Sequence, residues 1–337
     1  MNIRKLSALV LVAVMLLSFA ACTGANTADN TTEPVTQREL VKGTQVNIAM
    51  LKGPTGIGAA KLMSDLDNSK TDNKYQFTLS TDPTEITSGI ISGSFDIAAC
   101  PLNLASVLYN KTEGKVQILA VNTLGTLYIL SNDASVKSIA DLAGKTVVAA
   151  GQGATPEYVL NYLLEKNGIA DKVTVEYKSE HSEVATLAAS GSASIVLLPE
   201  PNVTSVLLQN NSFSVAVDLS KEFEKASGVS LAMGCVIARK DFVENNPNAI
   251  EIFMSEYKAS IDYAASNLDD TAALCETYGI IPKAAVAKKA IPNCNITFVS
   301  GEEMKKVVTE NLTVLAAANP ASVGGKLPAD DFWYGIK

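Results

Sequence analysis

The chain carries one sequence pattern twice, and this duplication constrains its fold more than any other feature. A strand-like apolar run followed by a loop rich in glycine and threonine occurs at 45–56 and again at 146–156. The tripeptide Ser-Gly-Ser occurs at 92–94 and 190–192, each time before a short apolar strand and a proline-containing turn. The copies lie about 100 residues apart, which is too long for a solenoid repeat and suits two similar α/β lobes.

Strand-like and helix-like segments alternate along the duplicated part of the chain. This alternation predicts the α/β fold class, with mainly parallel sheets that carry helices on both faces. From Lys240 onward the apolar spacing is helical. The predicted strands are Gln45–Leu51, Tyr75–Ser80, Phe95–Ala99, Val116–Val121, Leu127–Ser131, Thr146–Ala150, Val173–Lys178, Ile195–Leu198, Ser214–Asp218 and Leu231–Ala238.

The order of these segments predicts two lobes joined by two crossover hinge segments. A stretch of small residues at 122–126 takes the chain out of the first lobe, and the glycine-flanked stretch at 228–234 returns it. We therefore expect lobe I to comprise 45–123 and 232–337, and lobe II to comprise 124–231. A mature chain of roughly 315 residues is long enough to form both.

The N-terminus has the features of an export signal. Arg4 and Lys5 precede an uncharged apolar run from Leu6 to Ala21, which is shorter than the roughly 18 residues that a membrane-spanning helix needs. Small residues precede Cys22, as in bacterial lipoprotein signals, so we expect 1–21 to be removed and Cys22 to be acylated. An ordinary secretory signal with an accidental cysteine is the alternative. The polar residues 22–44 are predicted to form a flexible tether.

Charge excludes one class of partner. The formal net charge is −8, and removal of the signal's two cations takes it to about −10. The chain has only two arginines outside the signal, Arg38 and Arg239. With so few arginines and a negative net charge, no basic patch is available to bind nucleic acid. An anionic ligand would have to rely on backbone N–H groups and hydroxyls more than on arginine.

Cysteine and histidine usage argues against a metal site. Cys100, Cys235, Cys275 and Cys294 follow the signal, and export permits disulfides. Cys275–Cys294 is the best candidate pair, and free buried thiols are the alternative. His181 is the only histidine in the chain, which is too few for a histidine-based zinc site or a catalytic triad. No cofactor is expected.

Both glycine loops lie where an open α/β sheet binds ligands, beyond the carboxyl ends of its strands. Glycine lets a ligand approach the backbone closely, and the following helix offers unpaired N–H groups. Ordinary helix capping by threonine is the alternative for either loop alone. The candidate ligand-binding residues are Pro54, Thr55 and Gly56 in lobe I, and Gln152, Gly153, Ala154 and Thr155 in lobe II.

A second pair of turns ends the third strand of each copy. Pro101 and Asn103 in lobe I correspond to a turn in lobe II that contains Glu200 between two prolines. Glu200 is predicted to accept a hydrogen bond from an amine or ring N–H of a ligand. A helix-capping role for Asn103 and a surface turn for Glu200 are the alternatives. For Glu180 and His181 the sequence favours a solvated loop over ligand contact.

Four segments of the chain resemble the solute-binding proteins of ABC importers, within the branch that binds aliphatic sulfonates, taurine, nitrate and thiamine-precursor pyrimidines. Residues 141–147 (DLAGKTV) are similar to the family's entry into its second lobe, and 151–156 to its glycine-rich ligand loop. Residues 92–98 (SGSFDIA) and the ending 323–328 also resemble family elements. Leu198 stands where that branch often has an aromatic residue, which weakens the expectation of ring stacking.

The resemblance implies a fold like that of type II periplasmic binding proteins and a function without catalysis. It implies a receptor at the outer face of the cell membrane, anchored by lipid on Cys22, that captures a small polar or anionic metabolite between its lobes. Its partners would be the permease and ATPase subunits of the importer, and the receptor itself would be a monomer. An enzyme on the same fold, of the thiamine-pyrimidine or menaquinone-pathway type, is the alternative, as is a lipid-anchored adhesion or sensory domain.

Overall fold

A computed structural model of the protein describes residues 42–336. The predicted signal peptide, the predicted acylation site Cys22 and nearly all of the predicted tether lie outside the described residues. Between residues 42 and 336, no helix is both long enough and apolar enough to cross a bilayer.

Eleven strands and thirteen α-helices alternate through most of the described chain. The strands are β1 (Gln45–Leu51), β2 (Lys74–Ser80), β3 (Ile97–Pro101), β4 (Val116–Leu124), β5 (Leu127–Ser131), β6 (Thr146–Ala150), β7 (Thr174–Lys178), β8 (Ile195–Pro199), β9 (Ser214–Asp218), β10 (Ala232–Arg239) and β11 (Ile296–Val299). The helices are α1 (Pro54–Ile57), α2 (Ala60–Asp67), α3 (Pro83–Ser92), α4 (Leu102–Lys111), α5 (Thr155–Lys166), α6 (His181–Ala189), α7 (Asn202–Gln209), α8 (Leu219–Ser227), α9 (Lys240–Asn245), α10 (Pro247–Ser266), α11 (Leu268–Thr277), α12 (Ala284–Ala290) and α13 (Gly301–Ala318).

The strands form two sheets, one in each lobe. The lobe I sheet has the order β11-β4-β10-β3-β1-β2, and the lobe II sheet has the order β7-β6-β8-β5-β9. In each sheet the first βαβ unit is parallel, as β1 pairs with β2 and β3, and β6 pairs with β7 and β8. The two sheets thus repeat the same parallel core, as the duplicated sequence predicts.

The expectation of mainly parallel sheets was wrong for strand pairing. β10 pairs antiparallel with β3 and β4, and β5 pairs antiparallel with β8 and β9. β5 and β10 are each the first strand that the chain forms after it crosses from one lobe to the other. Such a strand enters its sheet from the hinge end and therefore runs against its neighbours.

Helices cover both faces of each sheet, so the central strands are apolar on both sides. Along β1, Val46, Ile48 and Met50 face one core cluster, and Ala49 and Leu51 face the other. The same alternation divides the strands of lobe II between two clusters.

The two crossovers lie side by side. Leu124, at the end of β4, pairs with Ala232, at the start of β10. Asn311 of α13 fixes the returning segment, because its Oδ1 accepts from the N–H of Ala232 (3.0 Å) and its Nδ2 donates to the carbonyl of Ser230 (2.9 Å). Gly125 is required here, since a Cβ would lie 2.2 Å from Oγ of Ser220.

The sequence pattern after Lys240 predicts only helices, so it misses β11. It is a four-residue edge strand that pairs antiparallel with β4, and its residues are only partly buried. Segments so short give no clear periodicity. The C-terminal segment closes the same lobe, with Trp333 bridging to Ile118.

Candidate functional site

A cavity of about 390 Å³ lies between the lobes and is lined by both of them. Three strand-to-helix junctions of each lobe meet there. Lobe I contributes the junctions β1–α1, β2–α3 and β3–α4, and lobe II contributes β6–α5, β7–α6 and β8–α7. All six junctions follow the carboxyl ends of mutually parallel strands, where this type of sheet places ligands. The volume suits a small metabolite.

Six of the ten sequence-predicted ligand residues line this cavity: Pro54, Thr55, Pro101, Ala154, Thr155 and Glu200. The other four do not line it. Gly56 is buried under its own loop, and Asn103 is buried behind Thr155. Gln152 and Gly153 are exposed to solvent in the lobe II glycine loop. Contact with a ligand remains a prediction for all ten.

The lobe I glycine loop is held by buried side chains. Nδ2 of Asn122 donates to the carbonyl of Thr55 (3.1 Å) and to the hydroxyl of Tyr257 (2.9 Å), and Tyr257 is fully buried. The hydroxyl of Thr55 donates to the carbonyl of Leu51 at 3.3 Å. Gly234 of β10 lets the loop come close, because a Cβ there would lie 2.4 Å from the methyl group of Thr55.

The lobe II glycine loop has fewer restraints. Its N–H at Gly153 donates to a carboxylate oxygen of Glu157 at 2.5 Å, one turn into α5. Thr155, at the first position of α5, is buried and donates its hydroxyl proton to Oδ1 of Asn103 at 3.0 Å. Asn103 belongs to lobe I and in turn donates to the carbonyl of Ser322 (3.3 Å). Thr155 therefore forms a hydrogen bond between the lobes.

Glu200 is the buried charged residue of the cavity, with 2% of its surface exposed. Its carboxylate accepts from the N–H (3.1 Å) and the hydroxyl (3.0 Å) of Thr204, and from Nδ2 of Asn293 across the lobes at 3.5 Å. Among residues 42–336, no lysine or arginine pairs with it. Burial raises the pKa of its carboxyl group, since removal from water disfavours the charged form.

Glu180 and His181 both line the cavity. Glu180 is exposed, as a solvated position would be, whereas the expectation of a solvated loop was wrong for His181. His181 opens α6 and is partly buried, and its Nδ1 atom is fully buried without a hydrogen-bond partner. Burial lowers the pKa of the imidazole to about 4, so the ring is neutral at neutral pH.

The junctions after the second strand of each lobe were missed as site elements. Thr81, Asp82 and Pro83 in lobe I correspond to Ser179 and Glu180 in lobe II. The signal that would have found them is the repeat itself. If the loops after the first and third strands meet at the cavity, the loop after a neighbouring parallel strand must end at the same edge.

None of the four described cysteines lines the cavity. The thiols of Cys100, Cys235, Cys275 and Cys294 are all free and buried. The predicted Cys275–Cys294 bridge is therefore not formed in the structure. The two residues share one apolar cluster, and burial raises the pKa of the Cys275 thiol to about 12. Within residues 42–336, no cluster of side chains suited to a metal ion occurs.

Solved structures share this architecture. An ABC transporter protein from Parabacteroides distasonis is 24% identical, with 86% of this chain and 98% of that chain covered and a TM-score of 0.74. The periplasmic aliphatic sulphonate binding protein SsuA from Escherichia coli is 16% identical, with 86% and 90% covered and a TM-score of 0.70. The periplasmic nitrate-binding protein NrtA from Synechocystis PCC 6803 is 12% identical, with 87% and 91% covered and a TM-score of 0.56.

The fold and the cleft thus define the class: the chain has the two-lobed α/β architecture of periplasmic solute-binding proteins, and the predicted fold is confirmed. Residues 76–270, more than half of the chain, match the family described as NMT1/THI5 like. The protein belongs to the NMT1/THI5-like family. No curated protein sequence gives a significant match.

Proposed function

We propose that this protein is the solute-binding receptor of an ABC importer and that it captures a small polar solute between its lobes. The observation that carries the proposal is the cavity of about 390 Å³, to which both lobes contribute three equivalent strand-to-helix junctions. A site divided equally between two lobes is suited to binding by closure. Structural relatives named as sulphonate- and nitrate-binding proteins support the same function.

The proposed mechanism is bending at the paired crossovers. The segments around Leu124 and Ala232 connect the lobes, and cross-lobe contacts such as Thr155–Asn103 form where the lobes meet. A ligand favours the closed state only through contacts that it makes with both lobes at once. The ligand contacts predicted at Thr55 in lobe I and Thr155 in lobe II fulfil that condition.

The location and partners follow from the N-terminal sequence and the relatives. We propose that acylated Cys22 anchors the receptor at the extracytoplasmic face of the cell membrane, with 22–44 as its tether. The closed receptor would deliver its solute as a monomer to permease and ATPase subunits. Mass spectrometry of the mature N-terminus tests the anchor, because an unmodified N-terminus beginning at another residue would contradict it.

The proposed receptor binds its solute without converting it to a product. The thiamine-pyrimidine synthase alternative would need a cysteine cluster and a histidine at the site. His181 lines the cavity, but none of the four described cysteines does. Incubation of the protein with its bound solute, followed by mass spectrometry, is expected to return the solute unchanged. Appearance of a product would favour the enzyme.

The test of closure combines two measurements. Mass spectrometry identifies the small molecule that co-purifies with the protein, and calorimetry with small-angle scattering then follows its rebinding. We expect binding to reduce the radius of gyration. Binding that leaves the radius of gyration unchanged would contradict the mechanism.

A matched pair of variants tests the contact between lobes. Thr155→Val keeps the shape of the side chain but removes the hydrogen bond to Asn103, so we expect weaker binding and less closure. Thr174→Val makes the same chemical change on the exposed side of lobe II and is expected to behave as wild type. Equal ligand affinity in both variants would show that the Thr155 hydroxyl does not contribute to closure.

A further inference from the structure

The charges that line the cavity are mostly negative. Lys52 is the one lysine or arginine among the described lining residues, against the carboxylates of Asp82, Glu180 and Glu200. Arg239, the arginine of lobe I, is remote from the cavity and already pairs with Asp96 (3.1 Å) and Asp241 (2.9 Å). An anion entering this cavity would meet a net repulsive field.

Backbone donors are also reduced where anions usually bind. Six of the twelve prolines of the chain line the cavity, and a proline has no N–H. Three of these prolines lie in the first turn of a helix. Pro54 and Pro83 occupy the first positions of α1 and α3, and Pro156 occupies the second position of α5. The first turn of each of these three helices therefore offers one N–H group fewer to an anion than a first turn without proline does.

Glu200 completes the pattern. It is almost fully buried in the wall of the cavity, it receives hydrogen bonds from neutral groups only, and it has no cationic partner among the described residues. A buried carboxylate is normally paired with a cation or bound to a metal. Neither is available from residues 42–336, and Glu200 lines the cavity that a ligand would fill.

From these three observations, and on the basis of the proposed receptor function, we infer that the solute is a small organic cation with N–H donors, an amine, amidine or guanidine, that pairs with Glu200. Such a solute supplies the missing positive charge and donates to carboxylate oxygens that Thr204 leaves partly free. It also lowers the excess of negative charge to which Asp82 and Glu180 contribute.

The test compares probes of three charge types: agmatine, putrescine and benzamidine as cations, cytosine as a neutral N–H donor, and ethanesulfonate and nitrate as anions. Calorimetry gives the affinities. The single histidine gives a second readout, because the NMR signal of the His181 imidazole reports cavity occupancy without overlap, provided that the purification tag contains no histidine. We expect at least one cation to bind ten-fold or more tightly than cytosine and either anion, and to shift the His181 signal.

Variants identify the carboxylate. Glu200→Gln keeps the size of the side chain and removes its charge, so cation affinity is expected to fall at least ten-fold. Glu165→Gln makes the same change at an exposed position of α5 and is expected to leave affinity unchanged. The wild-type comparison of probes stands even if Glu200→Gln does not fold.

Three results would overturn the inference: tighter binding of ethanesulfonate, nitrate or cytosine than of every cation, unchanged cation affinity in folded Glu200→Gln, or no response of His181 to any cation. An anion that binds tightly and closes the lobes would leave the receptor function standing and refute only the cationic solute.

Discussion

The two lobes carry the same junctions but hold them differently. The lobe I loop rests on Asn122 and on the fully buried Tyr257, and Gly234 of β10 lies directly against Thr55. The lobe II loop is exposed at Gln152 and Gly153, and the side chain that restrains its backbone is Glu157. The difference teaches that one copy of a duplicated site is preorganised, while the other has fewer restraints and would be free to adjust in the proposed closure.

The largest effect is expected beneath the lobe I loop. Tyr257→Ala removes a buried ring that stacks on Phe253, and the free energy of unfolding should fall by about 3–5 kcal/mol. Tyr257→Phe removes only the hydroxyl that accepts from Asn122, so the loss should be about 1 kcal/mol. Urea denaturation measures both. Similar losses in the two variants would show that the ring contributes no packing support.

The next effect belongs to lobe II and depends on pH. The folded pKa of His181 is about 4, below its ordinary value of 6.5, so the unfolded chain takes up a proton at higher pH than the folded chain does. The contribution of the neutral His181 to the free energy of unfolding is therefore fully present above the pKa of the unfolded chain, and it is lost as the pH falls toward the pKa of the folded chain. Between pH 7 and pH 4 it amounts to about 3 kcal/mol.

Urea denaturation of the wild type and of His181→Gln at both pH values checks this. The wild type should lose about 3 kcal/mol more than the variant, since the acidic side chains are common to both proteins. Equal losses would mean that the imidazole is free to protonate in the folded state and that lobe II is open around it.

A smaller effect is expected from Gly234→Ala. The new Cβ would lie 2.4 Å from the methyl of Thr55 and 2.8 Å from Oδ1 of Asn122, so overpacking should cost about 1–3 kcal/mol. The displaced loop should also bind the co-purifying solute about ten-fold more weakly, or about 1.4 kcal/mol. Adding Thr55→Ser removes the obstructing methyl and should restore part of both losses. No rescue would mean that the loop is not held through this contact.

The smallest effect is expected from Gly153→Ala. Gly153 has a φ of +76° and nothing within 4 Å of an added Cβ, so only backbone strain opposes the change. The cost should be about 1 kcal/mol. Gly144→Ala is the matched control, because its φ is +77°, its surroundings are equally open and it lies away from the cavity. We expect equal melting-temperature shifts and unchanged affinity in both, because a loop with few restraints can absorb the strain. A selective loss of affinity at Gly153 would show that the ligand contacts this residue through a loop that cannot adjust.

The repeat made most of the fold predictable. The first strand of each copy was located with its observed bounds, and the order of elements sufficed to infer two lobes with two crossovers. The direction of β5 and β10 was not predictable from periodicity, because an apolar strand has the same pattern whichever way it runs. β11 was too short and too little buried to give a signal.

The site was predictable in outline only. Thr55, Thr155 and Glu200 were selected because they follow strands at equivalent places, and the structure puts all three in one cavity. The partnership of Thr155 with Asn103 joins residues of different lobes, and no local pattern encodes such a contact. His181 was taken as solvated because a single histidine near a helix start carries no sequence signal of burial.

The side-by-side crossovers have a consequence for how the protein would meet a membrane partner. One covalent connection would let one lobe rotate about it in any direction, whereas two adjacent strands joined by backbone pairing at Leu124 and Ala232 resist torsion and yield mainly to flexing. If the lobes open by such flexing, their exposed rims would keep the same mutual alignment throughout the motion. A docking surface that spans both rims would therefore sense a single variable, the gap between them.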